Sequence, residues 1–245
     1  MQSAREKLIL AVDTSSLEEA RAIVDELHDS VGIFKVGLQL LSNHGPKIIE
    51  ELVSGGLKVF CDGKFHDIPN TVEQAAEGIA GHGAFMFTVM TCGGKKMLEG
   101  AVKGATRGAS RSGHAAPIVL GVTVLTSLSQ NVVNEELKVD LPVDEYVLHL
   151  AELARDSGVT GIVASAEEVA RLRQALGKEM VLVTPGVRPS WAGADDQARI
   201  VTPADAMKRG ADYIVVGRPI TASDNRKAAA QRIVDEMESA LAHTG

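Results

Sequence analysis

The stretch Val59-Phe60-Cys61-Asp62-Gly63-Lys64-Phe65-His66-Asp67-Ile68-Pro69-Asn70-Thr71 changes character twice. It begins as a short apolar run without alternation, the mark of a parallel strand covered on both faces. It then carries three charges, Asp62, Lys64 and Asp67. It continues through Pro69, a residue suited to the first position of a helix. A strand that ends in charge and leads into a helix is one βα unit. Strand side chains alternate with period two, so Asp62 and Lys64 share a face. If Val59 and Cys61 pack outward on helices, both charges point into the mouth of a barrel. Two carboxylates bracketing a lysine are costly unless the charges compensate one another. One reading is a structural ion pair at a barrel rim. The other is catalysis, because such barrels place their chemistry at the C-terminal ends of their strands.

The same unit recurs on both sides of this stretch. Short runs rich in Val, Ile, Leu or Ala predict strands over 8–13, 33–37, 58–64, 84–89, 118–124, 161–165, 180–184 and 213–217. Amphipathic patterns lie between them. Ser15-Ser16-Leu17-Glu18-Glu19 supplies a capping serine followed by first-turn acids. Further helices are predicted near 39–54, 71–81, 95–107, 143–156, 166–176, 203–209 and 224–242. Glycines stand where these should end, as at Gly55-Gly56, Gly81, Gly158, Gly177 and Gly210. Eight β-α alternations in 245 residues predict an α/β fold, a closed (β/α)8 TIM barrel filling 1–245 as one domain. A doubly wound open sheet is the alternative. Two long segments, 127–142 and 186–200, follow the fifth and seventh strands, on the face where a lid would sit.

Hydrophobic residues make up 45% of the chain and charged residues 23%, a globular mix that needs neither disulfide nor metal to hold a core at this length. A formal charge of −7 argues against non-specific binding to nucleic acid or to an anionic membrane, though not against a local basic pocket. Cys61 and Cys92 lie in apolar, strand-like contexts and form no CxxC pair, which points to a reduced, cytoplasmic compartment. Met1 to Lys7 are polar and mixed in charge, without the apolar core of a signal segment. No apolar run approaches the ~18 residues of a membrane span.

Other strands also end in chemistry. The first ends in Asp13, a position that suits either a loop cap or a ligand. The second carries Lys35 among Ile33, Phe34 and Val36, where a lysine is expensive to bury unless an acid faces it; Asp62 and Asp67 are the candidates. After the seventh and eighth strands come Thr184-Pro185-Gly186-Val187-Arg188-Pro189 and Val215-Val216-Gly217-Arg218-Pro219-Ile220. Barrels of this type commonly hold phosphate there. Gly186 and Gly217 let backbone N–H groups approach an anion, and Arg188 and Arg218 add guanidinium forks. Gln197, in Asp195-Asp196-Gln197, adds an amide donor. Gly93-Gly94-Lys95-Lys96 lacks Walker A spacing, and the histidines show no metal-ligand spacing. His66 alternates away from Lys64 and reads as a packing residue, as does Cys61.

Together these residues closely resemble the orotidine 5′-phosphate decarboxylase family, whose reaction ends the synthesis of uridylate. The most specific stretch is Asp62-Gly63-Lys64-Phe65-His66-Asp67-Ile68-Pro69-Asn70-Thr71. Val12-Asp13, Phe34-Lys35-Val36-Gly37, Leu125-Thr126-Ser127, Asp196-Gln197 and the two arginine segments support it. The resemblance implies that Lys64 donates a proton to C6 of the pyrimidine. It implies that Lys35, Asp62 and Asp67 complete an alternating charge network, with Asp67 reaching in from the second subunit of a homodimer. It places Asp13 and Thr71 at the ribose, Thr126 and Ser127 by the pyrimidine, and Arg188, Gln197, Gly217 and Arg218 at the phosphate. It implies no cofactor and no metal. Two positions depart from the family: Gly63 stands where leucine is frequent, and Val89-Met90 where a Val-His pair is frequent.

Two rivals remain. Decarboxylases of keto-gulonate phosphate and synthases of hexulose phosphate resemble this chain in the Asp62-x-Lys64-x-x-Asp67 spacing, and they use magnesium. His66, the continuation through Thr71 and Leu125-Thr126-Ser127 favour the orotidylate reading. A catalytically silent nucleotide-binding barrel should have lost a member of the charged tetrad, and all four are present.

Overall fold

The computed structural model describes residues 2–192 and 201–242. The chain enters through α1 (Ala4–Lys7), where Ser3 and Glu6 form a reciprocal capping box. Strands and helices then alternate. β1 (Leu8–Val12) leads to α2 (Leu17–Leu27), and β2 (Ile33–Gly37) to α3 (Leu38–His44) and α4 (Lys47–Ser54). β3 (Val59–Phe65) leads to α5 (Pro69–Gly81), β4 (Met86–Met90) to α6 (Lys95–Ser112), and β5 (Ile118–Val122) to α7 (Val143–Asp156). β6 (Gly161–Val163) leads to α8 (Val169–Leu176), β7 (Val181–Thr184) to α9 (Pro203–Lys208), and β8 (Tyr213–Val216) to α10 (Arg218–Thr221) and α11 (Arg226–Ala242). All eight strands are parallel, and β8 pairs back onto β1 to close the barrel. The predicted TIM barrel is therefore the observed fold, and the open sheet is excluded.

Register sorts the side chains into two layers. Ala11 pairs with Lys35, Lys35 with Phe60, and Phe60 with Met86. These positions face inward, with Ile9, Ile33, Leu120 and Val215 filling the barrel below. Leu10, Val12, Phe34, Val36, Val59 and Cys61 face outward and pack against the helices. The outward packing expected of Val59 and Cys61 is what the fold uses. It leaves Asp62, next along β3, on the inner side.

Three local expectations need correction. The helix predicted over 39–54 is two helices, because Gly45 adopts a left-handed φ of 71° and Pro46 cannot continue the α3 ladder. Cys92 is not in a strand. It is exposed in a short 3-10 turn, Thr91–Gly93. The segment after β5 is not wholly irregular, since it contains a π-helical turn at Val132–Glu136.

The helix that follows the charged stretch is held unusually close to its neighbour. Gly100, Gly104 and Gly108 lie along one face of α6, and a Cβ on Gly104 would come 2.0 Å from the Glu73 carbonyl oxygen. One on Gly108 would come 2.1 Å from the carbonyl of Glu77, and one on Gly100 would come 2.9 Å from that of Pro69. The two backbones touch because the α6 face has no side chains. Glu73 and Glu77 of α5 then pair with Lys103, Arg107 and Arg111 of α6. This contact fixes the first turn of α5, and so the stretch from Asp67 to Thr71. Gly104→Ala should overpack it and cost roughly 1–3 kcal/mol. The expected result is a lower urea midpoint with an unchanged m-value; an unchanged midpoint would mean the helices can separate freely.

Candidate active site

The parallel register brings the C-terminal ends of all eight strands to one rim. Lys35 of β2 is 9% exposed, a lysine almost wholly out of water. Its ammonium lies 3.0 Å from Asp13 Oδ1 at the end of β1 and 3.5 Å from Asp62 Oδ2 on β3. Gly37 makes room for it: a Cβ there would sit 3.2 Å from Lys35 Nζ and 3.4 Å from Asp13 Oδ1. Lys64 Nζ donates to the other Asp62 oxygen at 2.8 Å. The result is a chain of alternating charge, Asp13, Lys35, Asp62, Lys64. The acid expected to face Lys35 is supplied by Asp62 and by Asp13.

Asp67 is not part of this chain of contacts. Its carboxylate is exposed, accepts the N–H of Ile68 at 2.6 Å, and forms no ion pair among the described residues. The sequence expectation that Asp67 could face Lys35 within one subunit is therefore corrected. Asp67 lies past the end of β3, two residues beyond Phe65.

Asp62 is the most buried carboxylate of the cluster, with its side chain 14% exposed. Burial alone pushes its carboxyl up. The ammonium groups of Lys35 and Lys64, with hydrogen bonds from Lys64 and Thr88, outweigh that and hold it below the usual aspartate range. By contrast, burial pushes the Cys61 thiol up to about 12, with Asp62 adding to the shift, so this cysteine is an inert core residue as expected. His66 is exposed, with its ring 4.0 Å from Cys92 Sγ.

The remaining predicted residues surround the rim. Thr71 is exposed in the first turn of α5. Thr126 and Ser127 are exposed in a turn after β5. Gly217 precedes α10, which Arg218 begins. Arg188 follows β7 and is buried. Gly186, at φ 73°, turns the chain toward it. The Arg188 N–H donates to the Val201 carbonyl at 3.0 Å, and this tie brings the two ends of the intervening segment together. Trp191 stacks on the Arg232 guanidinium of α11 at 4.3 Å, anchoring the same base. Gln197, and most of the predicted lid 186–200, lie outside the described residues.

Residues 6–233 match the orotidine 5′-phosphate decarboxylase / HUMPS family. This chain belongs to that family. Among curated relatives, orotidine 5′-phosphate decarboxylase of Heliobacterium modesticaldum is 51% identical over 239 residues, covering 98% of each chain. The Syntrophotalea carbinolica enzyme of the same name is 47% identical, covering 97% of each. A crystal structure of orotidine 5′-phosphate decarboxylase from Lactobacillus acidophilus superposes with a TM-score of 0.85 at 38% identity, covering 94% of this chain and 98% of that one.

The two departures from the family pattern fall outside the charged cluster. A Cβ on Gly63 would come 2.7 Å from Cε1 of Phe65. The Phe65 ring occupies the space a leucine would need, so the change is one of packing behind β3. Met90 is half-buried at the end of β4. One residue near the cluster escaped the sequence reading. Thr88 of β4 is 1% exposed, donates to Asp62 Oδ1 at 3.1 Å and accepts the Lys64 N–H at 2.9 Å. Its only signal in the sequence is a hydroxyl two residues from Met86, on the inward parity of that strand.

With its folded pKa depressed, Asp62 contributes stability above the unfolded value of about 3.9. That contribution is lost as pH falls through the lower folded value. A carbon-13 titration of the side-chain carboxyl should place its midpoint below 3.9. A midpoint at or above that value would mean the two ammonium groups do not offset burial.

Proposed function

We propose that the protein decarboxylates orotidine 5′-phosphate to uridine 5′-phosphate, with Lys64 as proton donor and without cofactor or metal. The observation that carries this reading is the buried Asp62 held between the Lys35 and Lys64 ammonium groups, at 3.5 and 2.8 Å, on the rim where barrels do their chemistry. The family and the names of its relatives supply the substrate. The protein then acts in pyrimidine synthesis, in the cytoplasm; no helix among the described residues is long and apolar enough to cross a membrane.

Breaking the C6–carboxylate bond leaves its electron pair on an sp² carbon with no adjacent electron sink. A fixed ammonium stabilises that charge as it develops. Lys64 then delivers a proton to C6 and regains one from solvent. Asp62, beside the departing carboxylate, disfavours the bound ground state. Lys35 keeps Asp62 ionised and, with Asp13, orients the ribose side of the rim. Thr71 binds the ribose from α5, and Thr126 and Ser127 border the pyrimidine. Arg188, Gln197, Gly217 and Arg218 hold the phosphate, whose binding energy drives closure over the substrate.

Donor chemistry supports the metal-free form over the magnesium-using relatives. Both Asp62 oxygens already receive ammonium groups, so neither is free to bind a divalent cation without displacing a lysine. Purified protein should consume orotidine 5′-phosphate at the same rate with and without EDTA. Lys64→Ala should lower kcat by on the order of a thousandfold or more while uridine 5′-phosphate still binds. Activity lost to EDTA and restored by Mg²⁺ would support the magnesium-using alternative, and near-normal turnover by the Lys64 variant would remove that residue as proton donor.

Asp67, exposed and without an ion pair in its own subunit among the described residues, is proposed to complete the tetrad of a partner subunit in a homodimer. Exposed Ile68 and Leu38, 67% and 56% accessible beside the rim, suit an interface there. Such an interface is isologous. Lys64→Ala and Asp67→Ala, each inactive alone, should therefore recover activity when their subunits exchange. A mixed dimer holds both defects in one site and none in the other, so roughly a quarter of all sites should work after random exchange. Verified exchange without recovery would rule out sharing.

A further inference from the structure

Strand β3 carries two residues more than its neighbour can pair. Cys61 is opposite Phe87 and Phe65 is opposite Val89, with a break in register between. Asp62, Gly63 and Lys64 therefore stand against Thr88 alone. Such a bulge re-aims side chains and leaves backbone groups without ladder partners. Lys64 also has a φ of 48°. For an L-residue this left-handed conformation costs about 1–2 kcal/mol, so something must hold it.

The Thr88 hydroxyl meets both demands. It accepts the Lys64 N–H at 2.9 Å, in place of a ladder carbonyl, and donates to Asp62 Oδ1 at 3.1 Å. The same Asp62 oxygen receives Lys64 Nζ at 2.8 Å. One hydroxyl thus closes a ring that ties the Lys64 backbone to the carboxylate gripping its own ammonium. Thr88 itself is 1% exposed, so its hydroxyl has these two partners in place of water.

We propose that Thr88 is a positioning residue: its hydroxyl holds Lys64 in the left-handed bulge and so sets where the Lys64 ammonium stands relative to Asp62. The kinetic part of this inference rests on the decarboxylase reading above; the geometric part does not. Valine copies the shape of threonine but can neither accept the N–H nor donate to the carboxylate. Serine can do both. Without the hydroxyl, the part-buried Lys64 N–H loses its partner and the bulge loses the contact that offsets its strain. Displacing a reacting group by about 1 Å costs on the order of a hundredfold in rate.

The test compares Thr88→Val and Thr88→Ser with the parent protein in three measurements. These are kcat with orotidine 5′-phosphate, Kd for uridine 5′-phosphate, and the crystal structure. Thr88→Val should lose about tenfold to a hundredfold in kcat. It should keep product affinity within about twofold, and Thr88→Ser should restore most of kcat. The valine crystal structure should show Lys64 leaving the left-handed region and its contact with Asp62 lengthening. Near-parental kcat in Thr88→Val, or a serine variant as impaired as the valine one, would overturn the proposal. A parent protein without turnover would sink the decarboxylase reading instead. The crystal structures then decide alone, and an unmoved Lys64 in Thr88→Val overturns the positioning role. Should the valine variant fail to fold, Thr88→Ala against Thr88→Ser makes the same comparison.

Discussion

A carboxylate taken out of water costs several kcal/mol unless cations meet it, and Asp62 is buried with two of them against it. Removing either lysine leaves charge uncompensated at the rim of an apolar barrel. Removing Asp62 leaves Lys35 buried with Asp13 alone. The three groups are therefore interdependent, and the site is preorganised because no member is stable in another place. The same arrangement explains the depressed Asp62 carboxyl. It also keeps Lys64, whose side chain is 32% exposed, fixed to one carboxylate oxygen while it faces the open rim.

The fold serves this cluster by register and by omission. Parallel pairing puts Lys35 level with Phe60 and Gly37 level with Asp62. The ammonium of Lys35 rises from the deeper layer into the space that Gly37 leaves open. On the far side of β3, the glycine face of α6 draws α5 close enough for backbone contact and sets the direction in which Asp67 to Thr71 leave the strand. Charged groups on strand ends are thus held by the sheet, while the stretch from Asp67 to Thr71 is held by helix packing.

Much of this was legible in the chain itself. Unbroken apolar runs followed by charge gave away buried parallel strands, and seven intervening helix patterns matched in place if not in every boundary. The 39–54 pattern misled because its amphipathic period continues across Gly45-Pro46, and only backbone geometry divides it. Period-two reasoning correctly put Asp62 and Lys64 together, yet by an incomplete route. The strand between them is bulged, and Lys64 reaches Asp62 from a left-handed backbone that alternation does not foresee.

The residue types and their order determined the fold class, the rim on which charge collects, and the family. These depend on local patterning, in which each element's apolar period and end signals are written within a few residues. Which acid faces which lysine was decided by tertiary structure. Asp13 and Asp62 meet Lys35 through strand register, Thr88 closes the ring from a neighbouring strand, and Asp67, only three residues from Lys64, bonds to the Ile68 N–H instead. Contacts between strands depend on how the barrel closes and where one strand bulges, and no spacing along a single strand encodes that.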